Sequence, residues 1–173
     1  GVALDTAWTL SANGPTPISG VEGNAAITAA LVDAGDYTLS ESNGPTNYTA
    51  SSYSCVTNGG NPVVSNSLTL AANDTAVCTI TNNDNAPSLT LVKQVINDNG
   101  GTAIPTDWTL TAAGYDSQSP DAGTYNLSES NGPTGYTQRS LTCSNSQGQV
   151  TSATLGLGEN VTCTFVNNDI PAH

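Results

Sequence analysis

Lys93, Glu129 and Asn167 are the residues of this sequence whose types and placement could do covalent chemistry. Each lies in a run that alternates apolar and polar residues with period two, and each takes the apolar phase. Leu89, Leu91, Lys93 and Val95 share one phase; so do Tyr125, Leu127 and Glu129, and so do Cys163, Phe165 and Asn167. Residues two apart on a strand face the same way, so these polar groups are directed at an apolar interior. A charge buried alone is costly, whereas three complementary groups can satisfy one another. They can also react. A lysine removed from water favours its neutral, nucleophilic amine, and a glutamic acid in the same place keeps a proton that it can give to a carboxamide. Attack of the amine on the Asn167 carbonyl, with loss of ammonia, would give a Lys–Asn isopeptide bond. This is a single-turnover reaction of the chain on itself, driven by proximity. Asn168 is the alternative acceptor, but it falls on the opposite phase.

Little else in the chain offers catalytic chemistry. Its one histidine, among 173 residues, is the terminal His173. A nucleophile–imidazole–carboxylate machine needs a held, oriented imidazole, and metal sites built from His and Cys fail for the same reason. Phosphate-loop and dinucleotide fingerprints are absent, so no turnover enzyme is expected. Two basic residues, Lys93 and Arg139, stand against 14 acidic ones for a net charge of −12. That balance excludes a nucleic-acid partner and disfavours an anionic membrane surface. Only 9% of residues are charged, against roughly 25% in a typical soluble domain. No apolar run approaches the ~20 residues of a membrane span. There is no Met, so Gly1 is not a translation start, and the chain reads as a mature or excised piece of something longer.

The elements that must position the trio come in two copies. Residues 34–48 recur 88 positions later, with Gly-Asp-Tyr-Thr-Leu-Ser-Glu-Ser-Asn-Gly-Pro-Thr matched by Gly-Thr-Tyr-Asn-Leu-Ser-Glu-Ser-Asn-Gly-Pro-Thr. Trp8-Thr9-Leu10 recurs at Trp108-Thr109-Leu110, and Cys78 to Asp84 at Cys163 to Asp169. The first copy carries an insertion over residues 17–33. The second is preceded by residues 88–96, Ser-Leu-Thr-Leu-Val-Lys-Gln-Val-Ile, which have no counterpart in the first. Short alternating runs rich in Thr, Val, Leu and Tyr, parted by Asn-Gly, Asp-Asn-Gly-Gly and Gly-Pro turns, predict strands throughout. The expectation is an all-β protein of two tandem β-sandwich domains, residues 1–86 and 87–173, the first lacking its own first strand. Either the chain is a window cut from a longer array, or another molecule supplies that strand.

Four cysteines permit three pairings. Equivalent placement in the two copies favours Cys55–Cys78 and Cys143–Cys163, each worth about 3 kcal/mol by chain entropy. Reactive thiols or a metal site are the alternative, without a neighbouring base or a short Cys-x-x-Cys spacing to support them. Asn47, Asn73, Asn126 and Asn160 open glycosylation sequons, several of which chance would produce in so Asn- and Thr-rich a chain. No metal or cofactor is assigned. Ca²⁺ is the one ion that the oxygen-rich stretches at residues 97–100, 82–84 and 167–169 would suit, although the same residues are turn formers. Trp8 and Trp108 alternate with Leu10 and Leu110 and read as core rather than as sugar platforms.

Tyr125-x-Leu127-x-Glu129-x-x-x-Pro133-x-Gly135-Tyr136 resembles the E-box of SpaA-like, or Cna B-type, domains. These are immunoglobulin-like or prealbumin-like folds of bacterial surface proteins and pilins. The first copy keeps the pattern in Tyr37, Leu39, Glu41, Pro45 and Tyr48, with Asn47 in place of the glycine. The leading Leu-Thr-Leu-Val-Lys and the closing Phe165-Val166-Asn167 are similar to that family's first and last strands. The resemblance implies that Lys93, Asn167 and Glu129 are nucleophile, acceptor and acid–base of an intramolecular isopeptide bond. The first copy holds Glu41 and Asn82 but no Lys, an incomplete site. It further implies an extracellular, bacterial surface role as a structural repeat of a fibre, stalk or pilus-like appendage. Such a repeat would partner further copies of itself or neighbouring repeats, with strand donation into the first copy as one mode of assembly. The alternative is an adhesin module in which residues 17–33 contact a carbohydrate or a host or partner protein.

Overall fold

The computed structural model describes residues 1–171; His173, on which the argument against imidazole chemistry turns, lies outside them. The chain divides into two compact units, Gly1–Asn85 and Ala86–His173. Unit 1 contains β1 (Thr9–Asn13), β2 (Ile18–Val21), β3 (Gly35–Ser42), β4 (Tyr48–Ala50), β5 (Ser54–Thr57), β6 (Val63–Val64), β7 (Ser67–Leu70), β8 (Ala76–Thr79) and β9 (Asn82–Asp84). Unit 2 contains β10 (Ser88–Ile96), β11 (Thr109–Ala112), β12 (Gly123–Ser130), β13 (Tyr136–Cys143), β14 (Ser152–Leu155) and β15 (Asn160–Asp169). Two single turns of 3₁₀ helix, Asp5–Ala7 and Pro105–Asp107, are the helical elements among the described residues. No helix among them is long and apolar enough to cross a membrane.

Unit 2 is a sandwich of the sheets β10-β15-β13 and β11-β12-β14. The alternation in its sequence becomes alternation in burial. Along β15, Val161, Cys163, Phe165, Asn167 and Asp169 are buried, while the residues between them are not. Phe165, Val161 and Cys163 form the centre, with Leu127, Leu141, Cys143, Ala153 and Leu155 around them and Leu89, Leu91 and Leu110 packed against the cluster. β10 and β15 run parallel in continuous register from Ser88 opposite Asn160 to Ile96 opposite Asn168. A parallel pair needs a long crossover, and here the rest of the unit supplies it.

The motif turn has the same build in both units. Asn43 and Asn131 adopt left-handed backbone, with φ of 63° and 61°, which Asn tolerates better than most residues. Their side chains donate to Thr9 and Thr109 Oγ1. The next residues, Gly44 and Gly132, lie against the indoles of Trp8 and Trp108, where a Cβ would overlap the ring. Each tryptophan also meets a tyrosine edge-on, Tyr48 or Tyr136, at 5.4 Å. Both tryptophans are buried core residues.

Unit 1 pairs β2-β1-β3-β7 in one sheet, while the opposite layer consists of β4-β9 and β6-β5-β8. The start of the inserted segment forms β2, an edge strand antiparallel to β1. β8 and β9 are the counterpart of β15, and no strand among the described residues lies where β10 lies in unit 2. The consequence is exposure. Cys78, Ile80, Asn82 and Asp84 are only partly buried, whereas Cys163, Phe165, Asn167 and Asp169 are buried. The disulfides Cys55–Cys78 and Cys143–Cys163 each join residues directly opposite on paired strands. They close loops of 23 and 20 residues.

Asp169, at the end of β15, gathers the turn after β10. Its carboxylate accepts the backbone N–H groups of Gly101 at 2.7 Å, Asn99 at 2.9 Å and Asp98 at 3.1 Å. The Asn99 side-chain amide donates to it as well. Burial pushes this carboxyl up, but the N–H groups of Gly101 and Asn99 outweigh burial and hold it below the usual aspartate range.

Two outcomes follow from this packing. Phe165→Ala should destabilise unit 2 by about 3–5 kcal/mol, while Ile80→Ala at the matching, half-exposed place in unit 1 should cost under about 2 kcal/mol; domain-resolved denaturation followed by NMR checks the ratio. Asp169 has a depressed folded pKa, so its contribution is complete above the unfolded value of about 3.9 and fades as pH falls through the folded one. The stability gap between the native chain and Asp169→Asn should therefore be constant near neutrality and close in acid.

Candidate functional site

β12 carries Glu129 on its inward face, in the sheet opposite β10 and β15. Its carboxylate reaches across the interior and divides between the two facing strands. Oε2 accepts Lys93 Nζ at 2.5 Å, and Oε1 accepts Asn167 Nδ2 at 2.7 Å. The parallel register explains the meeting. Lys93 lies opposite Phe165 and Val95 lies opposite Asn167, so the lysine and the asparagine are one inward step apart along one ladder. The side chains of Lys93 and Glu129 are 4% and 12% exposed, and Asn167 is 3% exposed. Lys93 Nζ lies 4.4 Å from the Trp108 ring centre, a cation–π contact that strengthens as water is excluded.

The carbonyl side of the acceptor is unpaired. Asn167 Oδ1 is buried with no hydrogen-bond partner, which costs roughly 1–3 kcal/mol of lost solvation. Asn168 Oδ1 is likewise buried and unpaired, but Asn168 alternates to the other face of β15, and it is Asn167 that reaches Glu129. A carboxylate bridging an amine and a carboxamide can take a proton from the first and deliver it to the second.

Unit 1 repeats half of this arrangement. Asn82 Nδ2 donates to Glu41 Oε2 at 2.8 Å. No lysine or arginine occurs in residues 1–85. Tyr53, buried beside this pair, donates its hydroxyl to Ser40 O at 2.8 Å. Burial first, and then the charge of Glu41, push the Tyr53 hydroxyl pKa up.

Trp108 and Tyr136 are the residues that sequence reasoning underused. Trp108 contacts Lys93, and Tyr136 backs Trp108 while its hydroxyl donates to Asn97 Oδ1. The recurrence of both residues between the copies was the available signal; nothing in it told a core tryptophan from one that also meets an ammonium. The oxygen-rich stretches at 97–100 and 167–169 meet each other, with the Asp169 lone pairs directed at N–H donors. Asn47, Asn73, Asn126 and Asn160 are all exposed, and Asn160 Oδ1 accepts the Ser88 hydroxyl at 2.6 Å.

A comparison with curated proteins gives no match, and neither does one with solved structures. A family model described as a prealbumin-like fold domain, of the SpaA type, matches the chain twice, over residues 1–80 and 84–165. The two matches together cover nearly the whole sequence and fall on the two copies of the repeat, so the chain belongs to the SpaA-like prealbumin-fold family as a tandem pair of its domains.

Proposed function

We propose that this chain is a structural repeat of a bacterial extracellular fibre, stalk or pilus-like appendage. It is stapled by its disulfides and, in unit 2, by a self-formed Lys93–Asn167 isopeptide bond. The observation that carries the reading is the buried Glu129 carboxylate holding Lys93 and Asn167 on its two oxygens. In the reaction, the Lys93 ammonium passes a proton to Glu129. The amine attacks Asn167 Cγ, Glu129 returns the proton to the carboxamide nitrogen, the C–N bond breaks as ammonia leaves, and the second Nζ proton passes to Glu129 as the new amide forms. No oxidant or cofactor is required.

The register gives such a bond a mechanical meaning. β10 begins unit 2 and β15 ends it, side by side and parallel. Tension on the two ends would shear this pair. With residues 93 and 167 joined, load entering at Ser88 would cross to β15 after a few residues and leave by Asp169, bypassing nearly all of the unit. The disulfides imply an oxidising compartment, and the scarcity of Lys and Arg leaves few sites for trypsin-like proteases. The adhesin reading keeps one observation in its favour: the inserted segment bears Leu31, which is 97% exposed.

Single-molecule stretching of the full chain under reducing conditions tests the proposal. The native chain should give one unfolding event, from unit 1, with unit 2 inextensible. Glu129→Gln should give two. Two events from the native chain would refute the staple.

A further inference from the structure

Asn167 Oδ1, the oxygen on which the proposed reaction builds charge, is buried and has no hydrogen-bond donor among the described residues. Attack on an amide carbon moves an electron pair onto that oxygen, and a positioned N–H is what stabilises it. The Glu129 carboxylate is committed elsewhere, to Lys93 and to the Asn167 amide nitrogen. The neighbouring strand carries a free amide. In the β13–β15 ladder Gln138 stands directly opposite Asn167. Opposite residues share a face, with Cβ atoms roughly 5 Å apart, so a glutamine amide can reach an asparagine carbonyl. A bulge sets it there. Counting back by twos from the buried Cys143 and Leu141 would turn Arg139 inward and Gln138 outward. The register shifts between Gln138 and Ser140, so Arg139 is left without a partner and Gln138 takes the inward place. Bulges beside functional sites re-aim side chains in this way. Gln138 also lines a groove of about 590 Å³ together with Gln149, Val150, Thr151 and Ser152, on the approach to β14 and its start in the opposite sheet. Its side chain is exposed there, with room to swing. In unit 1 the residue opposite Asn82 is Ala50, which has no side-chain donor, so the repeat itself does not require a glutamine at this place.

We infer that Gln138 is the oxyanion donor of the self-reaction, swinging its amide from the groove over Asn167 Oδ1. The inference rests on the isopeptide reading above and adds the group that stabilises its intermediate. As Lys93 Nζ bonds to Asn167 Cγ, the carbonyl electron pair moves onto Oδ1, and an N–H of Gln138 donates to the oxygen that then carries the charge. The pair returns to the carbonyl as the C–N bond of the carboxamide breaks and ammonia leaves with the proton from Glu129. Gln138 ends with the protons it began with, and nothing is oxidised or reduced. The open groove beside Gln138 also gives the ammonia a polar way out.

The test follows the full chain, recovered unfolded from inclusion bodies in urea, as it folds on dilution. Ammonia loss is timed by intact mass after acid quenching, counted from the point at which tryptophan fluorescence shows folding complete. Gln138→Ala, and Gln138→Glu, which keeps the size of the side chain but loses its N–H donors, should each slow ammonia loss by about a hundredfold, the low end of what removing one such donor costs. Folding rate and urea midpoint should stay as in the native chain, because the replaced side chain is exposed. Ammonia loss from both variants at the native rate would overturn the role of Gln138 and leave the isopeptide bond standing. Slowing in Gln138→Ala alone, or slowing that tracks a lowered urea midpoint, would show a packing role and overturn the donor. A native chain that never loses ammonia would overturn the isopeptide reading, and this inference with it.

Discussion

The parallel ladder between β10 and β15 is the pairing on which the rest of this molecule depends. It joins the first strand of unit 2 to the last, nine residues in unbroken register, and so sets β15 between β10 and β13. With both edges covered, Phe165 and Cys163 lose all contact with water and Asn167 is sealed in. Unit 1 makes the point by difference. Its counterpart of β15 is split into β8 and β9 at a sheet edge, and its equivalents of the buried residues stay half exposed. Two copies of one sequence pattern thus differ in core quality through one strand.

The second constraint is the buried carboxylate. Glu129 belongs to one sheet, and both its partners belong to the other. An ion pair this enclosed is weak support for stability, because desolvation offsets most of the Coulombic gain. The unpaired Asn167 oxygen adds to the cost. A purely apolar trio would pack more simply. The proposed self-reaction would give a lysine, an acid and a carboxamide a reason to be kept in a core.

Much of this was legible from period-two alternation, because in a sandwich the phase of a residue decides its side. Lys93, Glu129 and Asn167 could be set inside by counting from Leu91, Leu127 and Phe165. Internal repetition did the rest, since aligning the copies exposed the missing first strand and paired the cysteines. What stayed hidden depends on contacts between segments far apart in sequence. Trp108 lies against the Lys93 ammonium because Gly132 leaves room for its indole. The stretch at residues 97–101 closes on Asp169 through backbone N–H groups, which no side-chain pattern encodes. That β2, at the start of the inserted residues, pairs with β1 is likewise a contact that alternation does not encode.

The central claim is that the Lys93–Glu129–Asn167 site closes on itself, and intact mass under non-reducing conditions, followed by peptide mapping, addresses it most directly. The account predicts a chain lighter than its sequence by the hydrogens of two disulfides and by one ammonia, with residues 93 and 167 recovered in a single branched peptide. A mass short of the disulfide hydrogens alone, with Lys93 and Asn167 in separate peptides, would contradict it.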